Sequence, residues 1–480
     1  MALLSKSKYL IGLECPRYLW TIFNDPKSLP EFDEQTQYRF EQGYNVEKYA
    51  KQLFEGIDAS DDFMNNIKKT KTLINQNKTV FEAGIMIKRL YARADILRYN
   101  NGWELYEIKA STSVKETHLE DLAFQKYVFE LAGLEIKKCF VIHINTNYVK
   151  EGEIDILKLL SVVEVEIKTD HVSENIESMF EIIKLKEIPE IELGKQCKKN
   201  YDCPLNCWSI LPENNVFDLF RGGKKSLDLY SLGISSLIDI PDDFKLNLNQ
   251  KIQVNSIKEN SVFINKIEIK KWIDSLNYPL YYLDFESFQT AIPLFNNSRP
   301  YQQICFQYSL HIQNLENDNI EKIKHKDFLY QDKCDPREDF IKNLIEDLND
   351  VGSIIVYNKT FEITRLKELS KDFPIYEPKI KLIINRIVDL YDIFKNFWYY
   401  HPLQKGSTSI KTILPLFSDK NYNDLLINNG NDASLEYMKF LLSDISDEDK
   451  KNIKINLIEY CKQDTFAEII ILNNLKELIK

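Results

Sequence analysis

The chain of 480 residues contains no run approaching the roughly 20 apolar residues that cross a bilayer, so no membrane-spanning helix is predicted. Met1 to Lys8 leads directly into Tyr9-Leu-Ile-Gly-Leu-Glu14, without the long apolar core of a secretory leader. The expected location is therefore cytoplasmic, where the eight cysteines would serve as thiols or metal ligands rather than disulfides. Excess positive charge is also missing. Sixty-two Lys and Arg against 73 Asp and Glu leave a net charge of −11, which argues against a protein that coats nucleic acid by neutralising phosphates. It leaves room for an enzyme with a local basic groove whose carboxylates hold divalent cations. Internal repeats and long low-complexity tracts are absent. The length allows two to three domains with ample core.

The cysteines that are present are unevenly spread. Cys15 stands alone, and Cys197, Cys203 and Cys207 follow 182 residues later in a C-x5-C-x3-C run. Three cysteines this close, with one far upstream, suggest ligands of one metal centre that staples the ends of a domain. Cys139, Cys305, Cys334 and Cys461 are expected to be ordinary buried thiols.

Three segments follow. Residues 1–211 mix helix and strand patterns and end at the cysteine run. Apolar spacing predicts a helix over 36–54 that buries Phe40, Tyr44, Val46, Ala50 and Phe54. Residues 85–111 read as a hairpin around Asn100-Asn101-Gly102, residues 118–132 as a helix, and residues 139–145 as a strand. Residues 212–275 read as a linker of short helices. A new strand at Tyr281-Tyr-Leu-Asp-Phe-Glu286 opens a second α/β region over 276–480.

In the hairpin, the three-residue loop sets Asp95 opposite Glu107, with Lys109 on the same face because side chains alternate along a strand. Two carboxylates and a lysine together suit phosphodiester hydrolysis, the carboxylates for Mg²⁺ or Mn²⁺ and the lysine for the attacking water. An exposed cross-strand ion pair would give the same pattern. Asp95, Glu107-Ile-Lys109 and Gln125 on the next helix resemble the PD-(D/E)XK core of RecB-type nucleases. That resemblance implies a restriction-endonuclease-like α/β domain, with Lys109 and Gln125 catalytic and Asp95 and Glu107 binding metal. The family's Gly-x-x-x-His appears here as Gly43-Tyr-Asn-Val-Glu47, which makes Glu47 a further implied metal ligand. Its Gln-x-x-x-Tyr appears as Gln125-Lys-Tyr-Val-Phe129. One cysteine before the core and three after it resemble the iron–sulfur subgroup, which includes the CRISPR-associated exonucleases. This layout implies a [4Fe–4S] cluster on Cys15, Cys197, Cys203 and Cys207, with Zn²⁺ the alternative.

The second region carries Asp284-Phe-Glu286 at a strand end, Glu362 after the apolar run Ile354-Ile-Val-Tyr-Asn358, and Tyr460-Cys-Lys-Gln-Asp464 on one helix face. In this order the pieces resemble the motifs of DEDD exonucleases, whose fold is RNase H-like. Carried over, Asp284, Glu286, Glu362 and Asp464 are metal ligands and Tyr460 positions the water. Glu362 stands where that family has aspartate. Asp389 is an auxiliary carboxylate candidate, and Gly406-Ser-Thr-Ser-Ile-Lys411 a candidate phosphate-contacting loop. Trp103, Tyr106, Tyr127 and Phe288 are either base-stacking or core residues. The combination resembles a bacterial family with a C-terminal domain of unknown function. That combination implies no established substrate, but the two resembled nuclease families together imply a nuclease acting on DNA, or alternatively RNA, with accessible ends or single strands, in repair or defence, and no membrane partner is expected. The competing reading is a non-catalytic nucleic-acid-binding or scaffold protein with degenerate centres.

Overall fold

The computed structural model describes residues 2–194, 197 and 203–480. The chain divides into two units. The first takes the described residues up to Trp208 together with Thr290–Gln302, and the second takes Ser209–Gln289 and Gln303–Lys480. Both are mixed α/β. The sequence sets a separate linker at 212–275. In the structure those residues belong to the second unit, where they include the helices Lys224–Ser231 and Leu248–Glu259.

The first unit is built on a seven-stranded sheet. Its labelled elements are β1 (Leu4–Ser5), α1 (Lys6–Glu14), α2 (Glu34–Lys51), β2 (Ile57–Asp58), β3 (Val80–Ile87), β4 (Leu90–Tyr99), β5 (Trp103–Lys109), α3 (Glu116–Leu131), β6 (Ile136–Ile144) and β7 (Leu160–Val165). The order is β2-β3-β4-β5-β6-β7, with β1 parallel to the start of β4. Antiparallel β3-β4-β5 is followed by the parallel pair β5-β6, which α3 connects. Along β4, Leu90, Ala92 and Ala94 pack into one core of the unit and Ile96 into another, with Asp95 at the crossover between them. Central strand β5 is buried nearly throughout, as a strand paired on both sides and covered by a crossover helix must be.

The expected loop at Asn100–Gly102 forms, with Tyr99 paired to Trp103 and positive φ at both Asn101 and Gly102. A second reversal at Lys88 (φ +53°) makes 80–109 a three-stranded meander rather than one hairpin. The helix predicted over 36–54 spans Glu34–Lys51 and buries Val46 and Ala50, but Phe40 and Tyr44 are 48% and 62% exposed and Phe54 lies beyond its end. Gly84 is required where the helix Phe63–Asn75 crosses β3, because a Cβ there would meet Asn66 Oδ1 at 1.8 Å.

The second unit contains a five-stranded sheet. Its strands are β8 (Leu280–Phe288), β9 (Ile304–Gln313), β10 (Lys324–Leu329), β11 (Ser353–Val356) and β12 (Ile387–Asp389), in the order β10-β9-β8-β11-β12. β9 is antiparallel to both its neighbours, while β8, β11 and β12 are mutually parallel. Helix α4 (Thr360–Asp372) follows β11, and the 33-residue α5 (Asp447–Ile479) packs across β8 and β9. Buried positions on α5 recur three or four residues apart: Leu457, Tyr460, Cys461, Asp464, Thr465, Glu468, Leu472 and Leu475. The stripe is apolar except at its middle, where two carboxylates face the sheet.

Candidate metal centres

In the first unit the β4-β5 register brings Asp95 level with Glu107, and the Ile108 amide donates to Asp95 Oδ2 at 2.7 Å. Lys109 Nζ donates to Glu107 Oε1 at 2.6 Å and to Asp121 Oδ2 at 2.7 Å. Gln125 Nε2 donates to Glu107 Oε2 at 2.6 Å and to Asp121 Oδ1 at 2.9 Å. Four residues apart on α3, Asp121 and Gln125 share one helix face. The sequence reading missed Asp121, although this spacing marks it. It also missed Lys6, whose Nζ lies 2.9 Å from Glu107 Oε1, 3.7 Å from Asp95 and 3.8 Å from Asp121. No motif marks Lys6, because it arrives by tertiary approach from the start of α1.

These contacts separate the carboxylates electrostatically. Burial and the neighbouring Glu107 push Asp95 up to about 7. Burial acts on Glu107 too, but Lys109 and Lys6 overcome it and hold this carboxyl below its usual range. Glu47 does not join this cluster. It pairs with Lys51 at 2.5 Å, and Lys51 in turn pairs with Glu82 at 2.9 Å. Glu82 is level with Asp95 across β3-β4 and has φ +54°. Glu47 thus reaches the neighbourhood of the site through Glu82, another residue the sequence reading missed.

The cysteines gather at the other end of α1. Cys15 is at once the last cap of α1 and the first cap of the helix Pro16–Asn24, where its sulfur accepts from the Tyr18 amide at 3.3 Å. Burial raises its thiol, and Cys197 and Cys203 add to the rise. Burial and then Cys203 push Cys207 up to about 11. Cys15 thus interacts electrostatically with Cys197 and Cys203, and Cys207 with Cys203 and Cys15, but no three of these sulfurs come within 4.8 Å of one another. Of the remaining four cysteines, Cys139, Cys305 and Cys461 are buried, but Cys334 is exposed, contrary to expectation.

In the second unit Asp284, Glu286 and Asp464 each bring a carboxylate oxygen within 4.8 Å of the other two, the one such set among the described residues. Unscreened by a cation, each ionised pair at that range would repel by about 3 kcal/mol. Burial and then mutual repulsion raise Asp284 and Glu286 well above the carboxylate range. Burial also raises Asp464, to about 6, against the Tyr422 hydrogen bond and the Lys411 charge. Tyr422 donates to Asp464 Oδ1 at 2.6 Å, and Lys411 lies 5.4 Å and 5.3 Å from the Tyr422 and Tyr460 ring centres. The Cys461 thiol donates to Asp284 Oδ2 at 3.5 Å, so this cysteine is more than core filling.

Two further carboxyls, Glu362 on α4 and Glu468 on α5, are each 2% exposed, and each has a buried Oε2 without a hydrogen-bond partner. Glu468 lies one helical turn after Asp464, a spacing that the sequence displays and the motif-based reading passed over. A pocket of crowded, partly unsatisfied carboxylates fits a divalent cation, which would relieve both the repulsion and the orphaned oxygens. Asp389 has a different task. It accepts from the amides of Asn358, Lys359 and Tyr391 at 2.9–3.1 Å and so caps the β11–α4 turn. Trp103, Tyr106 and Phe288 are buried in the cores, which leaves no face for bases to stack on.

Residues 281–409 match a family described as a domain of unknown function, DUF2779. The matched span includes Asp284, Glu286, Glu362 and Asp389 and stops short of Tyr460 and Asp464. Among curated proteins, the chain is 30% identical over 215 residues to an uncharacterised protein of Mycoplasma genitalium, MG366, covering 42% of this chain and 32% of that protein. It is 29% identical over 288 residues to an uncharacterised protein of Ureaplasma parvum, UU173, covering 55% and 41%. The MG366 homologue of Mycoplasma pneumoniae is 27% identical over 214 residues. The chain spans about a third to two-fifths of the length of these curated relatives.

Proposed function

We propose that this protein is a divalent-metal-dependent nuclease that hydrolyses phosphodiester bonds in DNA with accessible ends or single strands. The observation that carries the reading is the convergence of Asp284, Glu286 and Asp464 within 4.8 Å at the crossing of β8 and α5. The order β10-β9-β8-β11-β12, with one antiparallel strand between the first and third, supports an RNase H-like assignment for the second unit. The meander followed by a parallel strand, with Asp95, Glu107 and Lys109 on β4 and β5, supports a restriction-endonuclease-like first unit.

In the second unit Asp284, Glu286 and Asp464 would hold Mg²⁺ or Mn²⁺, with Glu362 close by. The ion supplies Lewis-acid activation of water and screening of phosphate charge. Tyr422 fixes one oxygen of Asp464 and leaves the other for coordination, while Lys411 lends positive charge toward a phosphate oxygen. In the first unit Lys109 is anchored by Glu107 and Asp121, where it can orient water and offset charge on a phosphorane-like transition state. Cys15, Cys197, Cys203 and Cys207 would hold a [4Fe–4S] cluster or, as the lesser alternative, Zn²⁺ in a stapling role.

The second reading is a nucleic-acid-binding protein that does not cut. Lys6, lying among Asp95, Glu107 and Asp121, favours it for that centre. Incubating the full chain with Mn²⁺ and end-labelled single- and double-stranded DNA separates the two. Shortened products that vanish with EDTA are expected from a nuclease, and retention of intact label in bound complexes from a binder.

A further inference from the structure

Two ammonium groups enter the first unit's carboxylate cluster, and only Lys109 belongs to a motif. Lys6 places its Nζ 2.9 Å and 3.1 Å from the two oxygens of Glu107 and within 3.8 Å of both Asp95 and Asp121. This is the position from which a cation would be shared among the three. The polar surroundings are built for a ligand with lone-pair demand. Gln125 is fully buried, its amide nitrogen serves Glu107 and Asp121, and its Oε1 has no hydrogen-bond partner.

Charge balance points the same way. With all three carboxyls ionised, the state in which they would hold a metal, Lys6 and Lys109 leave one net negative charge. Adding a divalent ion with both lysines in place would overshoot to one positive charge, whereas withdrawing Lys6 gives neutrality. Excess charge of either sign in a largely buried site is costly.

The backbone that delivers Lys6 is fixed. Leu4 donates to the Arg89 carbonyl at 2.9 Å, β1 pairs with β4, and Tyr9 stacks on Phe124 with ring centres 4.8 Å apart. Met179 packs so closely on Gly12 that a Cβ there would meet it at 2.7 Å. The Lys6 side chain itself is 23% exposed, and its flexible stem can carry the ammonium outward without moving α1.

We propose that Lys6 is an internal counter-cation that occupies the divalent-metal position of the Asp95–Glu107–Asp121 cluster and must swing away before metal loads. This rests on the metal-binding reading of that centre. Lys6 then sets a metal threshold: the centre is satisfied without metal and fills only when free divalent ion outcompetes a tethered ammonium.

The test is Mn²⁺ titration of the full chain by calorimetry and by the electron paramagnetic resonance of free Mn²⁺, in an Asp284→Asn background that silences the second unit. Lys6→Met, nearly isosteric and uncharged, is expected to bind Mn²⁺ at the first unit at least tenfold more tightly than the Lys6 protein. Lys6→Gln should do the same, while Lys6→Arg should stay within about twofold of the Lys6 protein. Equal or weaker Mn²⁺ binding by Lys6→Met and Lys6→Gln overturns the proposal and leaves the metal reading intact. Absence of Mn²⁺ from the first unit in every variant overturns both. Lys6→Gln keeps the test decisive if Lys6→Met does not fold.

Discussion

Tyr422 and Asp464, 42 positions apart, are joined by a 2.6 Å hydrogen bond in which the phenol donates to the carboxylate. Tyr460, the tyrosine that the motif singles out, stands at the same carboxylate, with its ring 6.4 Å from that of Tyr422. A short bond from a neutral donor to a buried anion is worth about 1.5–3 kcal/mol. It also opposes the rise that burial imposes on Asp464.

Tyr422→Phe keeps the ring and removes the bond. Asp464, already raised to about 6, should titrate higher still, and metal holding requires it ionised. The acid limb of Mn²⁺-dependent cleavage by the second unit is therefore expected to move up by about one pH unit or more. A pH–rate profile of the Lys109→Ala protein, which leaves the second unit alone in play, checks this. An unmoved limb would remove Tyr422 from the site.

The same carboxyl makes a stability prediction for metal-free protein. Its folded pKa lies above its unfolded value near 3.8, so the folded state binds more protons between about pH 4 and 6. The stabilising contribution is complete below pH 4 and is lost as pH rises through 6. Asp464→Asn cannot lose it. In EDTA, the variant should be more stable than the parent at pH 7.5, by on the order of 2 kcal/mol, and this advantage should shrink steadily toward pH 4. Urea melts of both proteins across that range provide the measurement, and a pH-independent difference would contradict it.

Glu107 behaves oppositely, because its folded pKa is depressed by Lys109 and Lys6 against the effect of burial. Glu107→Gln leaves two ammonium groups facing Asp95 and Asp121 with their shared partner gone. Breaking a buried charge network in this way should cost about 3–5 kcal/mol near neutral pH. The loss should fade below pH 4, where the wild-type carboxylate is itself giving up its advantage. Denaturant midpoints at pH 7 and pH 3.5 compare the two regimes.

The cysteine group carries its own check. Protein purified without oxygen should contain iron and absorb broadly toward the blue end of the visible range. Cys15→Ser should lower iron content severalfold, because Cys15 caps two helices and interacts electrostatically with Cys197 and Cys203. Zinc without iron would redirect the assignment to a structural zinc site.

Much of this was legible in the sequence where the chemistry is local. Asp95, Glu107 and Lys109 follow from strand alternation across a turn whose Asn101 and Gly102 need positive φ. Tyr460 and Asp464 follow from helical spacing. What escaped is what tertiary approach alone supplies: Lys6 from 101 positions before Glu107, and Tyr422 from a segment between two helices. Glu47 pairs with Lys51, one turn on, which also holds Glu82 on a neighbouring strand, and the Gly-x-x-x-Glu spacing signals neither partner. The exposure of Phe40 and Tyr44 shows that a helical apolar stripe need not be covered by its own unit.

The most direct test of the account is Mn²⁺-dependent degradation of labelled DNA by the full chain, set beside Lys109→Ala, Asp284→Ala and the double variant. The account predicts metal-dependent cleavage by the parent, partial loss of at least tenfold in whichever single variant disables the dominant centre, and none in the double. Cleavage that persists undiminished in the double variant, or no cleavage by parent protein purified without oxygen, would contradict it.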